Sequence, residues 1–283
     1  MRVLRARHLG MCFGVRDAIA LAVRESARQP VTVLGELVHN ETVLDDLRAR
    51  GVRFSGDVGE VETQRVMITA HGASDGRLAA VRGRGLCVLD ATCFLVRTAH
   101  GAVMTMAREG LHPVIVGRGD HVEVRGLTGD LDDFDVVLNE EDVRRLAPKT
   151  RFGVVSQTTQ PVERVQRLAS LIRQRFPDAE VRVVDTVCAP TKRRQAAALE
   201  LARRCDVVVV IGGARSNNTR ELADTCRVHC SRVLQVQTAA DLRAEWLDGA
   251  RVVGLTAGTT TPDAVIDLVE ARLLEIAGSR LAA

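Results

Sequence analysis

The chain has 283 residues, 46% hydrophobic and 2% aromatic, and its 39 Lys and Arg nearly balance 36 Asp and Glu for a net charge of +3. That hydrophobic content excludes a disordered chain, and the shortage of rings, with no basic run around them, excludes a nucleic-acid partner read by base stacking. No apolar run approaches ~18 residues, so neither a membrane span nor a membrane partner is expected.

The opening MRVLRARH reads as a charged strand rather than a signal peptide. A helical pattern over Val15–Arg28 places Ala18, Ile19, Ala22 and Val23 on one face. Short strands rich in Val, Ile and Leu are expected at Val31–Leu34, Arg65–Thr69, Val88–Leu89, Pro113–Val116, Phe134–Leu138 and Gly153–Ser156. The helix Val162–Phe176 follows, with Val165, Leu168, Ala169 and Ile172 on its apolar face. Further strands are expected at Val181–Val184, Val207–Ile211, Val233–Val236 and Val252–Leu255. The last helix, Pro262–Ile276, is expected to bury Val265, Leu268, Val269 and Leu273. Continuous apolar strands without alternation are covered on both faces, which predicts a doubly wound α/β design with parallel sheets. Ligands of such folds gather at the carboxyl ends of the strands.

Three of the seven cysteines recur in register with these elements. Cys12, Cys93 and Cys188 each follow a strand or its exit loop (VLRARHLGMC, CVLDATC, VRVVDTVC) and each precede a helical run. Two further loops also recur. GELVHNETV, GRGDHVEVRG and GGARSNNTREL follow the next strand, and TAHGASD, SQTTQPVE and TAGTTTPD come two strands later. The period of about 90 residues is that of a small domain rather than a solenoid repeat. Three α/β units are therefore expected, at 10–93, 94–188 and 189–283, with strand 1–9 joining the third. They would bring three thiols and six polar loops to one centre.

An odd number of cysteines without a secretory context points to a reducing cytoplasm, and to thiol or metal chemistry over disulfides. Three thiolates around one point hold a metal centre and leave a coordination site open. Cys87, Cys205, Cys226 and Cys230 have no equivalents in the other stretches and read as apolar fillers. His39, His71 and His121 lie in the recurring loops. With Thr158, Ser216, Asn218 and Thr260 they form a ring of hydrogen-bond donors suited to an anionic, phosphate-bearing ligand. Glu123, two residues from His121, reads as a proton carrier beside the metal centre.

The ordered series GMCFGV, ELVHNETV, TAHGAS, LDATCFLV, HVEVRG, SQTT, RSNNTREL and TAGTTTPD resembles the LytB family of 4-hydroxy-3-methylbut-2-enyl diphosphate reductases, from Cys12 to Asp263. The resemblance implies a trefoil of three similar small α/β domains, each with a mostly parallel sheet, around one 4Fe-4S cluster with three cysteine ligands and one open iron. It implies two-electron reductive dehydroxylation of an allylic diphosphate to isopentenyl and dimethylallyl diphosphate, the last step of the methylerythritol phosphate pathway. A ferredoxin or flavodoxin is the expected electron donor. Carried over by position, the metal ligands are Cys12, Cys93 and Cys188. The diphosphate ligands are His39, His71, Ser216, Asn218 and Thr260, and the groups near the reacting hydroxyl are His121, Glu123 and Thr158.

Six positions depart from the family pattern. Phe94 and Val122 stand where Pro is usual, Asn217 interrupts a Ser-Ser-Asn run, Arg220 replaces a common Asn, Thr260 replaces Ser and Pro190 replaces Ala. Two alternatives follow: a paralogue doing similar chemistry on a related substrate, or a non-catalytic iron–sulfur sensor. A sensor needs only the cysteines and an output surface, whereas an enzyme needs Glu123 and the donor ring, and the sequence holds both of these.

Overall fold

The computed structural model describes residues 1–279; residues 280–283, the end of the third expected stretch, lie outside the described residues. In chain order, β1 (Arg2–Arg5) and α1 (Phe13–Ser26) lead into β2 (Val31–Leu34), α2 (Glu41–Ala49), β3 (Arg53–Ser55), β4 (Arg65–Ile68), α3 (Asp75–Gly83) and β5 (Cys87–Asp90). Next come α4 (Phe94–Arg108), β6 (His112–Val116), α5 (Val122–Thr128), β7 (Asp135–Val137), α6 (Glu140–Arg145), β8 (Arg151–Ser156), α7 (Val162–Arg175) and β9 (Glu180–Val183). The remainder holds α8 (Ala189–Ala202), β10 (Val207–Ile211), α9 (Asn217–Arg227), β11 (Val233–Val236), β12 (Val252–Ala257) and α10 (Asp263–Ser279).

The strands form three four-stranded sheets, ordered β3-β2-β4-β5, β7-β6-β8-β9 and β11-β10-β12-β1, and every pairing is parallel. One topology is thus used three times. In each sheet the first strand lies between the second and the third, and the fourth lies outside the third. In the last sheet the fourth position is filled from the amino end of the chain, with Arg2 to Arg5 in register with Val252 to Leu255.

By compactness the chain forms two units. One comprises Met1–Arg16, Val38–Asp45 and Ala189 onward, and contains the β11-β10-β12-β1 sheet. Its strand β10 is apolar on both faces because both are covered. Val207, Val209 and Ile211 pack with Ile266, Val269 and Leu273 of α10, and Val208 and Val210 pack with Ala198, Leu201, Leu222 and Ala223 of α8 and α9. Each such aliphatic side chain contributes about 1.5–3 kcal/mol when fully buried. The buried stripe of α10 runs through Ile266, Val269, Leu273 and Ile276, so Leu268, expected inside, is 63% exposed.

The other unit, Asp17–Leu37 with Asp46–Cys188, contains the remaining two sheets. Phe152 and Val154 of β8 meet Val165, Leu168 and Ile172 of α7 on one side, and Ile115 and Val155 meet Ala99, Val103 and Met106 of α4 on the other. The carboxylate of Asp130, which follows α5, accepts the N–H groups of Asp75 and Gly76 at 2.6 and 2.9 Å and so caps the start of α3. Strand β3 was not expected: Arg53–Ser55 has no apolar run, and it is held by its parallel register with Thr32 to Leu34. No helix among the described residues is long and apolar enough to cross a membrane.

Candidate active site

In the β3-β2-β4-β5 and β7-β6-β8-β9 sheets the connections run in opposite directions from the first and third strands, so a crevice opens at their carboxyl ends, and the β11-β10-β12-β1 sheet has the same strand order. The sequence-predicted polar residues all follow those ends. His39 and His71 follow β2 and β4, His121 with Glu123 and Thr158 follow β6 and β8, and Ser216 with Asn218 and Thr260 follow β10 and β12. The cysteines follow the fourth strands, Cys12 after β1, Cys93 after β5 and Cys188 after β9, each immediately before a helix. Their backbone bonds repeat as well. The N–H of Cys12 donates to Thr259 O at 3.1 Å, that of Cys93 to Ala70 O at 3.1 Å, and that of Cys188 to Thr158 O at 3.0 Å. In every case the acceptor lies in the loop after the third strand. The fourth-strand exit is therefore stapled to the polar loop beside it, and a half-buried thiol is set at the start of a helix, the end that stabilises negative charge.

In the two-sheet unit four predicted residues form a continuous chain. Glu123 is 2% exposed. Its carboxylate accepts the N–H of Thr158 at 2.6 Å, and its own N–H donates to Nδ1 of His121 at 3.1 Å. That bond makes Nδ1 an acceptor, so in a neutral ring the proton sits on Nε2. The rings of His71 and His121 meet edge to face, with centroids 5.5 Å apart. Burial pushes the Glu123 carboxyl up to about 7, against the hydrogen bonds from Thr158 that pull it down. Glu123 can therefore hold or release a proton near neutrality. Thr186 steadies the next turn: its hydroxyl accepts the Ser156 N–H at 2.7 Å and donates to Ser156 O at 2.8 Å, two residues before Cys188.

In the other unit the predicted polar residues surround the start of α9. Ser216 caps the helix by accepting the Thr219 N–H, and Asn218 Oδ1 accepts the Thr259 N–H at 2.8 Å. The bond to Thr259 leaves the amide nitrogen of Asn218 as the donor available to a ligand. His39 lies on a loop whose neighbour Asn40 donates to Thr260 O at 3.0 Å. The approach there is close, and a Cβ at Gly213 would collide with the carbonyl oxygen of His39. Several buried polar atoms here have no hydrogen-bond partner among the described residues: both amide atoms of Asn217, and the hydroxyls of Thr219 and Thr260. A buried polar group left unpaired costs about 1–3 kcal/mol. Concentrated at one helix start, such groups fit a polar ligand that would satisfy them.

The chain also matches known proteins. A family model described as LytB protein covers residues 3–274. The chain belongs to the LytB protein family. Among its LytB relatives is a 4-hydroxy-3-methylbut-2-enyl diphosphate reductase from Pelobacter propionicus, 37% identical over 278 residues that span 98% of this chain and 99% of the relative. A protein of the same name from Dehalococcoides mccartyi strain CBDB1 is 38% identical over 274 residues, 95% of this chain and 96% of its own. The solved reductase of Plasmodium falciparum superposes with a TM-score of 0.89 at 26% identity, over 94% of this chain and 86% of that one. A second solved reductase, described as the terminal enzyme of the non-mevalonate pathway, is 34% identical with a TM-score of 0.67, over 97% and 100% of the two chains.

Sequence reasoning missed three supporting residues of this LytB chain. Arg194 of α8 is buried and donates Nε to Gly10 O at 2.9 Å and Nη1 to Pro190 O at 3.1 Å, which fixes the turn before Cys12. Gly10 itself has φ +75°, and a Cβ there would press on Ile266. Thr186 and Asn217 are the other two; the run Ser216-Asn217-Asn218-Thr219, unusually polar for a buried helix start, was the available signal for Asn217. The remaining cysteines divide by environment. Burial pushes the thiol of Cys205 up to about 11 and that of Cys226 up to about 12, so both stay protonated. Cys87, expected as a filler, is instead exposed on β5.

Proposed function

We propose that this protein is an iron–sulfur reductase that converts 4-hydroxy-3-methylbut-2-enyl diphosphate to isopentenyl and dimethylallyl diphosphate in the cytoplasm. The observation that carries the reading is the backbone link from Glu123 through Thr158 to Cys188. It ties a carboxyl that titrates near neutrality to the same residue's backbone as a cysteine with the chemistry of a cluster ligand. The donor set fits a 4Fe-4S cluster with one open iron: Cys12, Cys93 and Cys188 are thiols outside any disulfide at equivalent positions, while burial keeps Cys205 and Cys226 protonated.

When bound, the cluster supplies two electrons, delivered one at a time, and Lewis acidity toward the substrate hydroxyl. The chain supplies the rest. His39, His71, Ser216, Asn218 and Thr260 bind the diphosphate, with charge-assisted hydrogen bonds that contribute ~1.5–3 kcal/mol each. Glu123 delivers a proton as the C–O bond breaks, so the oxygen leaves as water. The carbon takes a second proton at either end of the allyl unit, which accounts for two products. Thr158 orients Glu123 and the hydroxyl, and His121 fixes the Glu123 backbone. A ferredoxin or flavodoxin is the proposed electron source.

Anaerobic incubation of cluster-loaded protein with this substrate and reduced methyl viologen tests the reading. Both five-carbon diphosphates are the expected products. An intact cluster that turns over none of this substrate would replace the reading with that of a paralogue acting on another allylic compound.

A further inference from the structure

A cleft of about 280 Å³ opens beside Cys12, and Arg7, His8, Phe13, Arg193 and Arg194 are among its lining residues. Its cations do two different things. Arg194 is buried and committed to the carbonyls of Gly10 and Pro190. Arg7, His8 and Arg193 are exposed. Arg7 stands 3.8 Å from Glu200, a loose surface pair, and neither His8 nor Arg193 has an ion-pair partner among the described residues. The cleft therefore faces solvent with net positive charge. At its rim Phe13, the residue after Cys12, is 38% exposed.

Exposed arginines around an exposed aromatic ring make a protein-recognition surface, since both types are enriched where partners bind tightly. Positive charge selects an acidic partner and speeds its encounter. We propose that this cleft docks an acidic one-electron carrier protein and that electrons enter at Cys12. The inference rests on the reading of Cys12 as a cluster ligand. In each encounter the carrier is oxidised by one electron and the cluster is reduced by one, so a turnover takes two encounters.

The test compares holoenzyme with Arg7→Glu/Arg193→Glu and a control, Arg227→Glu/Arg251→Glu. The control pair is exposed at the amino end of the same sheet, away from the end that carries Cys12. The probe is an acidic plant-type [2Fe–2S] ferredoxin. Its anaerobic binding is measured by anisotropy at rising salt, and turnover is measured with reduced ferredoxin and, separately, with reduced methyl viologen, which needs no docking. Arg7→Glu/Arg193→Glu should weaken ferredoxin binding about tenfold or more, slow ferredoxin-driven turnover, and leave viologen-driven turnover unchanged. Wild-type binding should weaken with salt. Undiminished ferredoxin binding in Arg7→Glu/Arg193→Glu, or an equal loss in the control, would overturn the docking site. Failure of the wild type with viologen would instead overturn the reductase reading, and the binding comparison would still report on the cleft.

Discussion

The backbone of Thr158 joins two chemistries: its N–H is held by the Glu123 carboxylate at 2.6 Å, and its carbonyl, in the following peptide group, accepts the N–H of Cys188 at 3.0 Å. Glu123 is buried at the start of α5 and Cys188 lies just before α8, and both are bonded to the backbone of this one residue, on successive peptide groups. The proposed proton donor and the proposed cluster ligand are thereby held to one residue.

Replacing Glu123 with Gln keeps the shape and removes the transferable proton. A positioned acid contributes about 10²–10⁴-fold, so Glu123→Gln should slow single-turnover reduction by that factor while the cluster spectrum stays unchanged. The wild-type rate should hold below about pH 7 and fall above it, as the donor ionises. A variant within about threefold of wild type would remove Glu123 from proton delivery and leave His121 as the next donor to test.

The same carboxyl sets a stability difference in the cluster-free protein. Folded Glu123 keeps its proton to about pH 7, against 4.5 for the ordinary side chain. Its neutral form contributes stability that is complete below 4.5 and is lost as pH rises through the folded value. Gln never ionises. Relative to wild type, Glu123→Gln should therefore gain stability with rising pH, by up to ~3 kcal/mol above pH 7. Urea midpoints at pH 5 and pH 8 would measure it, and parallel shifts at both would mean that Glu123 stays charged in the fold.

Iron retention separates the cysteines. Changing Cys12, Cys93 or Cys188 to Ser should abolish it. Changing Cys205 or Cys226 should not, because burial holds those thiols protonated. Equal iron loss from all five substitutions would show that the ligands are wrongly assigned.

Much of this was legible in the chain because the strands are short and apolar on both faces and polar loops follow them in a fixed order. Val31–Leu34, Val207–Ile211 and Val233–Val236 form as expected from composition alone. Arg53–Ser55 was hidden because a three-residue edge strand is defined by its neighbour rather than by its side chains. Leu268 was misplaced because α10 has apolar residues on more than one side, and periodicity there admits a second stripe. The family motifs pointed to Cys12 and Glu123. The bond from Arg194 to Gly10 and the bond from Thr158 to Glu123 join residues far apart in sequence, and no local pattern announces either one.

Thr260 gives the sharpest test of the anion site. Its hydroxyl is buried without a hydrogen-bond partner among the described residues, on a residue that is 5% exposed. Valine matches threonine in shape and lacks the unpaired group. If the hydroxyl exists to meet a ligand, Thr260→Val should leave the free protein as stable as wild type or more stable by about 1–3 kcal/mol, because an unsatisfied buried donor is removed. The same change should weaken the response to diphosphate. Inorganic pyrophosphate should raise the melting temperature of wild type in proportion to ln(1 + [L]/Kd), and the variant should need roughly tenfold more for the same shift. A variant that is destabilised and still binds pyrophosphate like wild type would mean that the hydroxyl serves the fold, and Asn217 with Asn218 would then be left as the donors at the start of α9.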